Sequence, residues 1–112
     1  MEHAGIVGDY ALQRLSALKQ RYDFIGDIRG SGLVFGAELV TDTETKEPAI
    51  ETTDRVINAM RHKGIILSKL GRHKNTLKIR PPMPFSIENA NLLFDTLEQV
   101  LGELESPGLH YL

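Results

Sequence analysis

Five cations and no carboxylate occupy positions 69 to 80: Lys69, Arg72, Lys74, Lys78 and Arg80. Cations grouped in this way suit an oxyanion, either carboxylate or phosphate, which arginine holds through a planar fork and lysine as a point charge. In an extended run over 76–80 the side chains alternate, so Leu77 and Ile79 share one face while Lys78 and Arg80 share the other, ~7 Å apart. The competing reading is a solvated strand face with a charged hairpin tip. Asp27 and Glu38 form a second pair of interest, two carboxylates placed to meet across a hairpin. No histidine, serine or lysine nucleophile stands at a recognisable spacing from them. Glu38 also fits the edge of an interface, satisfied by a group on a partner.

The remaining polar residues point to less. Gly30-Ser31-Gly32 begins like a phosphate cradle, but position 35 is Phe, a strand-like run follows, and no Gly-Lys-Ser/Thr closes it. A hairpin turn is the reading that remains. His3, His62, His73 and His110 are scattered, with no two at the i, i+4 spacing of a helical metal pair, so no metal site is assigned. The absence of cysteine removes disulfides, thiolate ligands and a cysteine nucleophile together.

These residues sit in a chain of 112, enough for one domain, with 41% hydrophobic and 25% charged residues, as in an ordinary globular protein. Thirteen Lys+Arg against fifteen Asp+Glu give a formal charge of −2, which favours neither nucleic acid nor an anionic membrane as partner. No segment resembles a signal peptide and nowhere do ~18 apolar residues run together, so a cytoplasmic location is the default.

The elements that must position the charges follow from periodicity. Ala4, Val7, Ala11, Leu15, Leu18 and Tyr22 predict an amphipathic helix whose first turns are weakened by Gly5 and Gly8. That start is either frayed or packed against protein outside this chain. Two β-like runs, 24–29 and 33–40, flank Gly30-Ser31-Gly32 and predict a hairpin. The second run is apolar on both faces except at Glu38, which implies more protein against the second face. Residues 41–48 read as a polar surface loop, the least ordered internal stretch. Thr52 or Thr53 caps a second helix with Val56, Ile57 and Met60 inward, and Gly64 stops it. Runs 65–68 and 76–80 predict two short strands, the latter ended by Pro81-Pro82. Ser86 caps a third helix that buries Ala90, Leu93, Phe94, Leu97, Leu101 and Leu104. The order α-β-β-α-β-β-α predicts an α+β two-layer sandwich of three helices on a small, largely antiparallel four-stranded sheet. Residues 1–105 form the single domain and 106–112 a tail.

Taken in order and spacing, the run I-G-D-I-R-G-S-G-L-V-F-G-A-E-L-V over 25–40, then Lys63-Gly64-Ile65-Ile66-Leu67, then Leu77-Lys78-Ile79-Arg80-Pro81-Pro82-Met83, resembles the C-terminal small domain of class III, pyridoxal-phosphate-dependent aminotransferases. The resemblance runs from the first helix to about Leu104, and the segment 77–85 is similar to the branch that includes phospholyases acting on phosphoethanolamine and phosphohydroxylysine. It implies a fold-type I enzyme several times longer, homodimeric when full length, that moves an amino group between an amine or amino acid and a keto acid. Pyridoxal 5'-phosphate would sit on a large domain of the same chain. The small domain would contribute substrate grip and closure, through an arginine just before the Pro-Pro bend that holds the substrate α-carboxylate. Lys78 stands at that position and Arg80 at a small-residue position, so the resemblance makes Lys78 and Arg80 the substrate-binding candidates and Arg29 a domain contact. None of Lys19, Lys46, Lys63, Lys69, Lys74 and Lys78 lies in a segment resembling the family's Schiff-base lysine, and the aspartate that pairs with the pyridine nitrogen has no counterpart here. This implies no catalytic or cofactor-binding residue in the chain and no activity for it alone. Two other readings stay open on the residues alone. One is a free-standing α+β module that binds RNA or another polyanion through the basic hairpin, which the lack of aromatics between Phe35 and Phe85 opposes. The other is a structural domain that self-associates through its second sheet face.

Overall fold

A computed structural model describes residues 2–42, 44–71, 73–80 and 85–105. Arg72, the Pro81-Pro82 bend with Met83, His110 and the 106–112 tail lie outside the described residues. The chain forms α1 (Glu2–Arg21), β1 (Ile25–Ser31), β2 (Val34–Leu39), α2 (Ile50–His62), β3 (Ser68–Leu70), β4 (Thr76–Ile79) and α3 (Ile87–Glu105). The α+β sandwich with three helices and four strands is thus present. All strand pairs are antiparallel, in the spatial order β1-β2-β4-β3, so the last strand made lies between β2 and β3.

The hairpin turns later than expected. Gly30 and Ser31 belong to β1 and pair with Phe35 and Val34, leaving Gly32-Leu33 as a two-residue loop. Gly32 has φ of +61° and Leu33 is not left-handed, the pattern of a type II′ turn whose twist matches that of the strands. Gly30 is small for a different reason, since a Cβ there would meet Leu12 Cδ1 at 3.0 Å and Phe35 Cδ1 at 3.1 Å.

One face of the sheet carries the core. Phe35, Ala37 and Leu39 of β2 and Leu77 and Ile79 of β4 are buried against Val7, Ala11 and Leu15 of α1, Val56 and Met60 of α2, and Phe94, Leu97 and Leu101 of α3. Phe35 meets Phe94 edge-on with ring centres 6.4 Å apart. The predicted stripes supply the helix side of the core from Val7 onward, with Ile57 and Leu104 only partly buried against it, and the side chain of Ala4 lies outside the described ones. Asn75, the buried polar residue just before β4, is satisfied: its side-chain N–H donates to the Leu39 carbonyl at 2.8 Å, and its own carbonyl accepts from Leu39 N–H at 2.8 Å.

Local termini show where side-chain signals misplace an element. α2 starts ahead of Thr52 and Thr53, with Ala49 at its N-cap and no side-chain cap. Ala49 N–H donates to the Leu39 carbonyl at 3.0 Å, so a tie to the sheet sets the start, and Thr53 Oγ1 instead bonds back to the Ala49 carbonyl at 2.8 Å. The other end matches expectation. Gly64 has φ of +88° and its N–H bonds to the Arg61 carbonyl, while Ile65 N–H bonds to the Met60 carbonyl, a Schellman stop. That bond occupies Ile65, and strand pairing begins only at Ser68, so the expected strand over 65–68 shifts to 68–70. Ser86 Oγ accepts from Asn89 N–H at 3.1 Å and caps α3 as predicted. The described residues of 41–48 make more backbone hydrogen bonds than their polar composition suggests. Thr41 N–H bonds to the Glu47 carbonyl at 2.7 Å, Lys46 N–H to the Asp42 carbonyl at 2.9 Å, and Val40 bridges to Pro48.

Gly8 finds its neighbour within the chain. It is buried, and a Cβ placed on it would stand 2.4 Å from the Gly32 carbonyl oxygen, so the helix start rests on the hairpin turn. Gly5 faces open space. The two glycines consequently respond in opposite directions to alanine. Gly8→Ala is expected to destabilise by about 1–3 kcal/mol through overpacking despite alanine's better helix propensity. Gly5→Ala is expected to be neutral or to stabilise by up to about 1 kcal/mol. Urea unfolding of the two variants checks this, and equal effects at both positions would refute the clamp.

Candidate functional site

The sheet face opposite the helices is open, and strand alternation decides what it displays. Arg29 pairs with Gly36 and Gly36 with Lys78, while Lys78 pairs with Ser68, making one row across four strands. The neighbouring row runs from Asp27 through Glu38 and Thr76 to Leu70. With strands ~4.8 Å apart, the backbones at Arg29 and Lys78 lie ~10 Å apart with only Gly36 between, and the two rows are separated by ~7 Å. Cations thus occupy one row and carboxylates the next. An open cleft of about 460 Å³ covers this surface, and its lining includes Asp27, Arg29, Gly36, Glu38, Thr76 and Lys78. Arg29 Nε donates to Asp27 Oδ2 at 3.3 Å between two well-exposed side chains, a pair weak enough for a ligand to displace. Asp27 and Glu38 meet across the hairpin as their sequence positions suggested, and as directly opposed like charges they cost stability.

Lys78 is half-buried and also borders a second cleft, of about 630 Å³, formed with Ile66, Leu67, Arg80, Phe85 and Leu92. The structure therefore brings Lys78 and Arg80 to one cleft and places Lys78 at the edge of both. Arg80 lies just past the end of β4 and is exposed. Of the rest of the basic group, the described Lys69 and Lys74 lie apart from this cleft. Lys69 sits in the register position opposite Leu77, on the helix side of the sheet, and pairs with Asp54 of α2 at 2.7 Å. Lys74 is an exposed, left-handed residue (φ +55°) at the β3–β4 tip. The described histidines join no group of three or more potential metal ligands.

The clearest electrostatic perturbation lies away from the clefts, between α1 and α3. Arg14 Nη1 donates to Asn91 Oδ1 at 3.0 Å and Nη2 to Asp95 Oδ1 at 2.7 Å, while Tyr10 Oη donates to the same Asn91 oxygen. Burial works against the Arg14 charge, but hydrogen bonds and charge from Asp95 and Tyr10 outweigh it and hold the guanidinium above its ordinary pKa. This strap positions the helix layer and touches neither cleft. Arg29 and Gly36 escaped the sequence reading as members of the cation row. Their signal was available in the turn: once Gly32-Leu33 is taken as a type II′ loop, the pairing of 29 with 36 follows by counting.

Residues 1–101 match the family model described as Aminotransferase class-III. The chain is 34% identical over 103 residues to "Alanine--glyoxylate aminotransferase 2 homolog 2, mitochondrial" of Arabidopsis thaliana, covering 92% of this chain and 22% of that protein. It is 39% identical over 102 residues to "Ethanolamine-phosphate phospho-lyase homolog 1" of Caenorhabditis elegans, covering 90% and 22% respectively. Among solved structures, a phospholyase from Arthrobacter in complex with phosphoethanolamine superposes with a TM-score of 0.86 at 37% identity, covering 91% of this chain and 24% of that one. The chain spans about a quarter of the length of these proteins.

The opposed carboxylates give a direct check on the open face. Glu38→Gln is expected to raise stability by about 0.2–1 kcal/mol, by relieving the like-charge pair with Asp27. Denaturant midpoints of the variant and of Asp27→Asn measure this, and a clear loss in both would show that the two carboxylates are held by an attraction.

Proposed function

The chain belongs to the class III aminotransferases, and from that premise we propose that it is the C-terminal small domain of a larger enzyme, in which Lys78 and Arg80 hold the anionic group of the substrate. The activity of that enzyme would be transfer of an amino group between an amine or amino acid and a keto acid. The observation that carries the reading is that Lys78 and Arg80, alone among the described cations of 69–80, line one cleft together, with apolar walls from Ile66, Leu67, Phe85 and Leu92. Leu67 and Phe85 are buried while Ile66 and Leu92 are exposed, so the cleft is only partly shielded from water and the grip rests on charge-assisted contacts.

Enzymes of this family use pyridoxal phosphate, which supplies an electron sink when bound. Among the described residues none is placed to anchor it. Five of its six lysines are exposed and Lys78 stands at an open cleft edge, whereas a Schiff-base lysine is usually desolvated. Asp27 and Glu38 are surface carboxylates rather than a buried partner for a ring nitrogen. The cofactor is accordingly assigned to the remainder of the longer polypeptide, and this domain's own part is to bind, orient and close over the substrate.

A phosphorylated amine as substrate, lost by phosphate elimination, is the second reading. It is favoured by similarity to two proteins named as phospholyases, at 39% and 37% identity, and by a lysine where a bidentate carboxylate fork would call for arginine. Both readings share the anion grip, so the same variants test it. In the full-length enzyme, Lys78→Met is expected to lower kcat/KM for the anionic substrate by about tenfold or more, and Arg80→Met by a smaller factor, as loss of charge-assisted hydrogen bonds predicts. Unchanged kcat/KM in both single variants and in the double variant would refute the grip.

A further inference from the structure

The open face of the sheet is complementary to itself. All three helices supply the core on the other face, and the rows Arg29–Gly36–Lys78 and Asp27–Glu38–Thr76 border an open cleft. The rows lie ~7 Å apart along the strands, and neighbours within a row ~5 Å apart across them. A two-fold axis in the plane of the sheet, running across the strands midway between the rows, lays each row of one copy over the other row of a facing copy. Arg29 then stands over the partner's Asp27, and Asp27 over the partner's Arg29, since both belong to β1. The partner's Glu38 stands over Gly36, both being in β2, with Arg29 on one side and Lys78 on the other. Lys78 faces the partner's Thr76, so no like charges in these rows oppose each other. Gly36 itself is not required by the fold. Its register with both neighbouring strands is unbroken, its φ is not left-handed, and a Cβ would make only ordinary contacts, 3.5 Å to Thr76 Cγ2 and 3.8 Å to the Leu77 carbonyl oxygen. Glycine inside a regular strand weakens it and commonly marks close approach by another group.

We propose that the 112-residue chain pairs with a second copy of itself through this face, as a symmetric dimer in which the partner's Glu38 seats on Gly36 between Arg29 and Lys78. Charge complementarity selects a second copy as the occupant. In a closed two-fold contact every pairing occurs twice, so two Arg29–Asp27 pairs and two seated Glu38 carboxylates form together. The contact also gives each member of the opposed Asp27–Glu38 pair a cation of its own. Arg29 exchanges an exposed pair within its own strand, at 3.3 Å, for one that the facing sheet covers. Facing sheets stand ~10 Å apart, a gap that an arginine and a carboxylate span end to end, and the missing side chain at 36 gives Glu38 the depth it needs. Val34 and Leu70, exposed and lining the same cleft, add apolar contact at its margins. An interface so rich in charge owes its specificity to electrostatics, which makes it sensitive to salt. It does not depend on the Lys78–Arg80 grip, whose test in the full-length enzyme stands or falls separately.

Sedimentation equilibrium of the chain at low ionic strength, from micromolar to millimolar concentration, tests this. A monomer–dimer equilibrium is expected, weakened about tenfold or more at high salt. One variant combines Arg29→Glu with Lys78→Glu and makes both rows negative; another combines Asp27→Lys with Glu38→Lys and makes both positive. Each alone is expected to stay monomeric, and an equimolar mixture of the two is expected to recover the mass of two chains. Gly36→Val is expected to weaken the dimer about tenfold while its melting temperature, taken at a concentration where the parent is monomeric, does not fall. Should either charge reversal fail to melt cooperatively, the near-isosteric Arg29→Gln and Glu38→Gln decide instead: weaker association in each supports the contact, and unchanged association in both overturns it. A parent chain that remains monomeric at every concentration overturns the proposal and leaves the face to another occupant, such as the remainder of a longer polypeptide. A dimer that persists in both charge reversals, or reversals that do not recover on mixing, overturns the pairing of the rows and places any contact elsewhere, for which the exposed Ile66 and Leu92 are the next surface.

Discussion

The register of β1 against β2 is the constraint on which both faces of the sheet depend. Because side chains alternate with a period of two, the pairing of Arg29 with Gly36 and of Ile28 with Ala37 sends Phe35, Ala37 and Leu39 into the core and leaves Asp27, Arg29 and Glu38 outside. A slip of one residue would bury the charges and expose the apolar set, at a cost no surface contact could offset. Two independent features fix the register. The type II′ turn needs Gly32 at its first central position, and α1 can approach that turn only because position 8 has no side chain. The helix start is therefore a brace for the hairpin, which explains a glycine where helix propensity alone would disfavour one.

The helix layer converts that register into a rigid platform. Apolar stripes of α1, α2 and α3 meet the same sheet face, and the Arg14–Asn91–Asp95 strap ties α1 to α3 along their exposed side. Lys69, although it belongs to the basic segment by sequence, is used here too, as a tether from β3 to α2. Cations therefore serve two purposes on opposite sides of one sheet, holding the layers together on one side and facing solvent in the clefts on the other. Lys78 stands at the boundary of both clefts, and a domain that moves as a unit would carry its ammonium with it.

Much of this was legible in the residues. Helical stripes such as Ala90, Leu93, Phe94, Leu97 and Leu101 are buried as their spacing requires, and Ser86 and Gly64 mark ends where their chemistry places them. What misled was punctuation whose cause lies elsewhere in the fold. Gly30 looked like a turn residue because glycine is common in turns, yet its smallness serves contact with Leu12 and Phe35. Thr52 and Thr53 looked like caps, whereas a backbone tie from Ala49 to Leu39 begins the helix. The candidate site was legible by halves. Lys78 and Arg80 stand out by charge, and the Asp27–Glu38 pairing by position. The partnership of Arg29 with Lys78 requires knowing that β4 inserts beside β2, a long-range choice that no local pattern encodes.

That insertion also governs how the domain must be made. β2 is synthesised early, but its second neighbour is β4, which follows only after α2 and β3. Until Ile79 has emerged, the edge of β2 that pairs with β4 stays unpaired, next to the unfinished core that Phe35, Ala37 and Leu39 face. Pairing across such a separation closes a long loop, which slows folding and leaves the edge open to pairing with another chain in the meantime. Early termination within 63–75 would thus yield a product more prone to association than one ending before β2, so the central strand acts as the completion signal for the whole sheet.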